Sequence, residues 1–159
     1  MATKTDNKNG LKWIAIGFGS ILVLGYLNRK RVVNNLNIQL SENFNLREFI
    51  TTSTGIENIP GPVEIEKIRA LVINTLQPAR NAVSKKYPGK KIVWKITSGY
   101  RSPLVNTAIG GSRTSQHPKG EAADSQVFVD GVQIGNQELI DIIISAKVPY
   151  DQLIDEDLN

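Results

Sequence analysis

No cysteine occurs in these 159 residues. That excludes thiolate zinc sites, disulfide staples and cysteine catalysis, and it is compatible with any redox compartment. Histidine occurs once, as His117, so any chemistry that needs an imidazole has to use that ring. Aromatic residues make up only 6% of the chain and nowhere interleave with basic ones. The stacking platforms of single-strand nucleic-acid binders are therefore missing. Long apolar runs are scarce too. The only one is Trp13 to Leu27, which carries no charge.

The net charge of +4 is unevenly placed. Residues 1–31 hold six Lys or Arg against one Asp, a net +5, and residues 32–159 hold thirteen against fourteen acidic residues, a net −1. The basicity belongs to an N-terminal arm. A nucleic-acid-binding domain should present a basic face of its own, so no nucleic-acid partner is expected. A chain of this length buries a sizeable core without needing a structural metal.

Residues 1–10 are polar and read as a disordered tail. Residues 11–28 read as a single transmembrane anchor. The run is apolar on every face, unlike an amphipathic surface helix. At about 1.5 Å per residue, Trp13 to Leu27 spans about 22 Å, short of a hydrocarbon core of about 30 Å. Leu11 extends it, Lys12 and Arg29 are placed to snorkel, and Trp13 and Tyr26 stand where interfacial aromatics belong. A cleaved signal peptide and a buried core helix are the other readings, although no small-x-small cleavage site precedes Arg29-Lys30-Arg31. Residues 29–43 read as a linker and residues 44–159 as the folded domain.

Within the domain, Pro60-Gly61-Pro62 stops the chain before a helical pattern from Val63 to about Lys86. Pro78 inside it predicts a kink or two abutting helices. Lys91 to Thr97 alternates as a strand. Ser102-Pro103 opens a short helix to about Ile109. Ala122 to Val129 reads as a strand, Asp130-Gly131 as a hairpin turn and Val132 to Ile134 as its return. Asn136 reads as the N-cap of a helix from Gln137 to about Lys147, and Asp151 to Ile154 as a last strand. Helices and strands do not alternate strictly, so the expected class is α+β, with a central antiparallel sheet and flanking helices.

The chemistry-bearing residues cluster. His117 and Asp124 stand seven apart, and an imidazole nitrogen and a carboxylate oxygen both suit a zinc-like ion. Gly120 between them permits a tight backbone path. On spacing alone, a hydrogen-bonded loop pair is the commoner explanation. Arg101, sixteen residues before His117, is permanently charged and suits a carboxylate or a developing oxyanion.

Several ordered blocks carry a resemblance. Ser115, His117, Gly120, Ala122 and Asp124 match the motif Ser-x-His-x-x-Gly-x-Ala-x-Asp. They are preceded by Asn43 to Phe49, Leu76 to Arg80 and Ser98 to Asn106, and followed by Tyr150 to Ile154. Over about Phe44 to Ile154 the chain resembles the zinc D-Ala-D-Ala carboxypeptidase and L-Ala-D-Glu endopeptidase family. That family cleaves peptidoglycan stem peptides in bacteria and in bacteriophage lysis or virion proteins. The resemblance implies zinc on His117 and Asp124, a substrate-polarising Arg101 and a substrate-binding Ser115. Together with the apolar run at residues 11–28, it points to a membrane-anchored peptidase at the cell envelope or in a virion membrane. The family completes its zinc site with a second histidine in a Trp-x-His strand after the Asp-Gln-Leu-Ile block, and the acid or base for the water comes from that region. Here Asp155, Glu156 and Asp157 follow the block. The alternative is a catalytically degenerate, membrane-bound structural or wall-binding protein such as a virion component.

Overall fold

A computed structural model describes residues 38–155. The expected tail and membrane anchor lie outside the described residues. Among those described, no helix is long and apolar enough to cross a membrane.

The fold is α+β. Among the described residues, five α-helices, α1 (Leu46–Ile50), α2 (Pro62–Leu71), α3 (Gln77–Lys86), α4 (Pro103–Ala108) and α5 (Asn136–Ser145), accompany three strands, β1 (Ile92–Ser98), β2 (Asp124–Val129) and β3 (Val132–Gln133). The strands form one antiparallel sheet in the order β1-β2-β3. Trp94 stands opposite Val127 and Ile92 opposite Val129. Period-2 alternation puts these side chains on one face, where Ile92, Trp94 and Val127 are buried.

The core fills the space between that face and the helices. Phe44 and Phe49 are completely buried, with ring centroids 6.2 Å apart, and Phe44 meets Trp94 edge-on at 6.2 Å. Ile68, Val72, Ala79 and Val83 supply the helical side of the core. Burial begins at Leu40, inside the stretch expected as linker, and Leu46 N–H donates to the Ile38 carbonyl at 2.9 Å. Asn45 caps α1: its side chain accepts from Arg47 N–H at 2.9 Å, while the Glu48 carboxylate accepts from Asn45 N–H at 2.8 Å, a reciprocal capping box.

The long helical pattern is divided at Pro78, as the sequence predicts, and the device is a π-helical turn over Val72–Leu76. Proline lacks an N–H, and its ring crowds the carbonyl four residues earlier. The wider turn relieves that crowding, with Gln77 N–H reaching back to the Val72 carbonyl. Gln77 and Arg80 then tie the start of the domain to the sheet. Gln77 Oε1 accepts from Ser41 Oγ at 2.7 Å, and Arg80 donates to Asn43 Oδ1 at 2.8 Å and to the Ile92 carbonyl at 3.1 Å.

Two local expectations are corrected. The cap of α5 is Gly135, not Asn136. Asn136 lies in the first turn, with its Nδ2 donating to Asp155 Oδ1 at 2.8 Å. Asp151 to Ile154, expected as a last strand, form none, because no partner strand runs beside them among the described residues.

Phe49→Ala should cost about 3–5 kcal/mol in urea unfolding, the usual price of an aromatic deleted from a packed core. Val63→Ala, at a residue 64% exposed, should stay within about 0.5 kcal/mol. Equal costs would contradict this placement of the core.

Candidate metal centre

The sequence-nominated residues come from three segments: the end of β1, a tight turn after α4, and the start of β2. Along β1 and β2 the register runs regularly to Ile96 opposite Ser125, then shifts, so that Ser98 stands opposite Asp124. The extra residue is Thr97. A bulge of this kind re-aims the side chains that follow it. Ser98 and Arg101 are thereby brought to Asp124.

His117 opens a single 3-10 turn, His117–Lys119, with Pro118 in its first turn. Gly120 ends it in the left-handed region at φ +74. A Cβ there would also lie 2.7 Å from the Glu64 carbonyl oxygen and 3.0 Å from Ile68 on α2. Two constraints therefore demand glycine at this position. Beyond it, Glu121 pairs with Lys67 of α2 at 2.6 Å. Both partners are well exposed, so this pair contributes little.

These constraints bring three of the four nominated residues together. His117 Nε2 lies 3.3 Å from Asp124 Oδ1. Arg101 Nη2 donates to Asp124 Oδ2 at 2.8 Å, and Arg101 Nε donates to Ser98 Oγ at 2.8 Å. Ser115 stands apart from that contact. Its Oγ accepts from His117 N–H at 3.3 Å and so caps the turn that carries the imidazole. Among the C-terminal acids, Asp155 accepts from Asn136, while Glu156 and Asp157 lie outside the described residues.

The imidazole is buried, and its Nδ1 is 2.6 Å from the carbonyl oxygen of Gly99. A carbonyl only accepts, so Nδ1 carries the proton and donates. Nε2 then turns toward Asp124 Oδ1, another acceptor. A proton shared between the two atoms or a metal cation held by both would reconcile that approach. Fixing one ring nitrogen through a backbone carbonyl, so that the other is free to ligate, is how metal-binding histidines are oriented. Burial pushes the Asp124 carboxyl up. The hydrogen bond and charge of His117, the Arg101 guanidinium and a hydrogen bond from Ser98 together outweigh it, so the group is held below its ordinary range.

The donor set suits zinc in type and orientation. In number it is two, because no group of three His, Cys, Asp or Glu side chains converges among the described residues. A catalytic zinc takes three protein ligands.

Two positioning groups were not assigned roles from the sequence. Gly99 acts through its carbonyl, and a carbonyl leaves no trace in residue type. Ser98 reaches the site only because of the bulge, which no composition signal announces. A Cβ on Gly99 would lie 2.6 Å from both Cα and O of Phe49, so the glycine seats β1 against α1 and sets where its carbonyl points.

The family described as Peptidase M15 matches residues 42–152. No curated protein and no solved structure matches.

Gly120→Ala and Gly89→Ala separate conformational strain from close approach. Both glycines have φ +74, but a Cβ on Gly89 would meet nothing within 4 Å. Gly89→Ala should cost about 1 kcal/mol, the left-handed strain alone. Gly120→Ala should cost clearly more in the same denaturation experiment. Equal losses would mean that the turn does not press on α2.

Proposed function

The chain belongs to the peptidase M15 family, and from that membership we propose that it is a membrane-anchored zinc metallopeptidase hydrolysing peptidoglycan stem peptides. One observation carries the proposal: His117 Nε2 and Asp124 Oδ1 converge at 3.3 Å while Nδ1 is committed to the Gly99 carbonyl. His117 and Asp124 would hold the metal. When bound, zinc supplies Lewis-acid polarisation of the scissile carbonyl and an acidified water.

The chain's own residues do the rest. The Gly99 carbonyl keeps the proton on Nδ1 and presents Nε2. Asp124 divides its two oxygens, Oδ1 toward the imidazole and Oδ2 toward Arg101. Arg101 spends Nε on Ser98 and one Nη2 hydrogen on Asp124. Nη1 makes no hydrogen bond among the described residues. Its donors suit the oxygen that gains charge as a peptide carbonyl is attacked, or the terminal carboxylate of a stem peptide. Ser115 holds the His117 turn, and its hydroxyl proton remains available to a substrate acceptor.

Membrane anchoring rests on the uncharged run Trp13 to Leu27. It would keep the hydrolase beside the wall it cuts, in a bacterial envelope or a bacteriophage virion membrane. A wall-binding protein without catalysis is the second reading, favoured by the two-donor count among the described residues.

Full-length protein with zinc should release D-alanine or new amino termini from purified peptidoglycan. His117→Ala should lower that release by more than the 10–100-fold typical of losing an outer-shell partner. Identical release by variant and wild type would refute the assignment, and an inert wild type would favour the wall-binding reading.

Ile21→Arg tests the anchor separately. A charge at the centre of a spanning helix costs about 2.5–3.5 kcal/mol, so the chain should shift from the membrane pellet to the supernatant. No shift would refute anchoring by this segment.

A further inference from the structure

Asn58 is one of three buried polar or charged residues among those described, at 7% exposure, and it has no part in the chemistry above. It lies in the irregular segment between α1 and α2. Its side-chain amide makes three hydrogen bonds. Nδ2 donates to the Tyr100 carbonyl at 2.7 Å and to the Ile50 carbonyl at 3.1 Å, and Oδ1 accepts from Ser102 N–H at 2.6 Å. Tyr100 and Ser102 are the residues immediately before and after Arg101. Beside this clamp, Ser102 Oγ donates to the Glu57 carbonyl at 2.9 Å.

The same turn is also anchored by Tyr100, which is buried in the core, and by Ser102, whose carbonyl accepts from Asn106 N–H at 2.9 Å. Arg101's own N–H reaches the His117 carbonyl only at 3.4 Å. Yet the guanidinium must meet Asp124 and Ser98 at 2.8 Å each. An amide is the side chain that offers two donors and an acceptor from one plane. Aspartate would turn an oxygen toward two carbonyls, and leucine would leave all three backbone groups unpaired.

We propose that Asn58 is a positioning residue: by gripping the backbone on both sides of Arg101, it aims the guanidinium at Asp124 and the adjoining substrate space. Its catalytic consequence rests on the peptidase reading, but its effect on Arg101 does not.

The test uses the full chain as Asn58→Ala, alone and combined with Arg101→Ala. Two measurements separate positioning from bulk stability. The first is the side-chain Nε–H resonance of Arg101, identified by its absence in Arg101→Lys. In folded Asn58→Ala it should move toward the position of a solvated arginine, while the Arg80 resonance stays in place. The second is stem-peptide hydrolysis. Asn58→Ala should lower kcat about 10–100-fold, as loss of an outer-shell partner does. In the Arg101→Ala background it should add less than about twofold, the non-additivity of residues acting as a unit.

An unmoved Arg101 resonance, or an equal loss in both backgrounds, overturns the proposal. Should Asn58→Ala fail to fold, Asn58→Ser is read in the same way, because its small hydroxyl brings no charge against the two carbonyls. Failure of both to fold also overturns it, assigning Asn58 to the stability of the whole domain. An inactive wild type would refute the peptidase reading and leave the resonance result to decide this one.

Discussion

A single hydrogen bond organises the site: the 2.6 Å contact between His117 Nδ1 and the carbonyl oxygen of Gly99. It decides which ring nitrogen carries the proton, and therefore which one faces Asp124. A buried imidazole without that partner could rotate or change tautomer, and the pairing with the carboxylate would be lost. The carbonyl is in turn placed by packing. Gly99 sits so close to Phe49 that no other residue fits without displacement, and Phe49 is fully buried in the main aromatic cluster. The orientation of the imidazole is thus tied to the hydrophobic core through one backbone group.

Two departures from regular structure complete the site. The extra residue in β1 sets Ser98 opposite Asp124 and carries Arg101 to the carboxylate. The left-handed Gly120 lets the His117 turn lie against α2 before the chain enters β2. Each departure costs backbone regularity and is held by packing around it, which is common where side chains must converge from different segments. Asp124 illustrates the result. Burial works against its charge, and the surrounding donors overcome that cost, so it remains a carboxylate suited to ligate a cation.

Much of this architecture is readable from residue types. Alternation in Lys91 to Thr97, the Pro60-Gly61-Pro62 stop and the Asp130-Gly131 turn each correspond to a feature of the fold, because each reflects a local preference of the backbone. The nature of the break at Pro78 is less legible. Proline announces an interruption, but whether the chain kinks or widens into a π-helical turn depends on packing against the core. The missing strand at Asp151 to Ile154 shows the same limit, since a strand requires a neighbour that no local pattern encodes. In the site, His117, Asp124 and Arg101 stand out through side-chain chemistry. Gly99 acts through a carbonyl, Ser98 through a bulge, and Asn58 through main-chain contacts distant in sequence. Such roles belong to the fold, and residue identity does not reveal them.

The presence of one histidine makes the central claim directly measurable. A long-range proton–nitrogen correlation spectrum of the full chain contains a single imidazole. Nδ1 should be the protonated nitrogen, held by the Gly99 carbonyl. Equimolar zinc should shift Nε2 strongly and leave Nδ1 nearly in place, and Asp124→Asn should weaken that response. Zinc that leaves both nitrogens unmoved, or that shifts Nδ1 instead, would contradict the account.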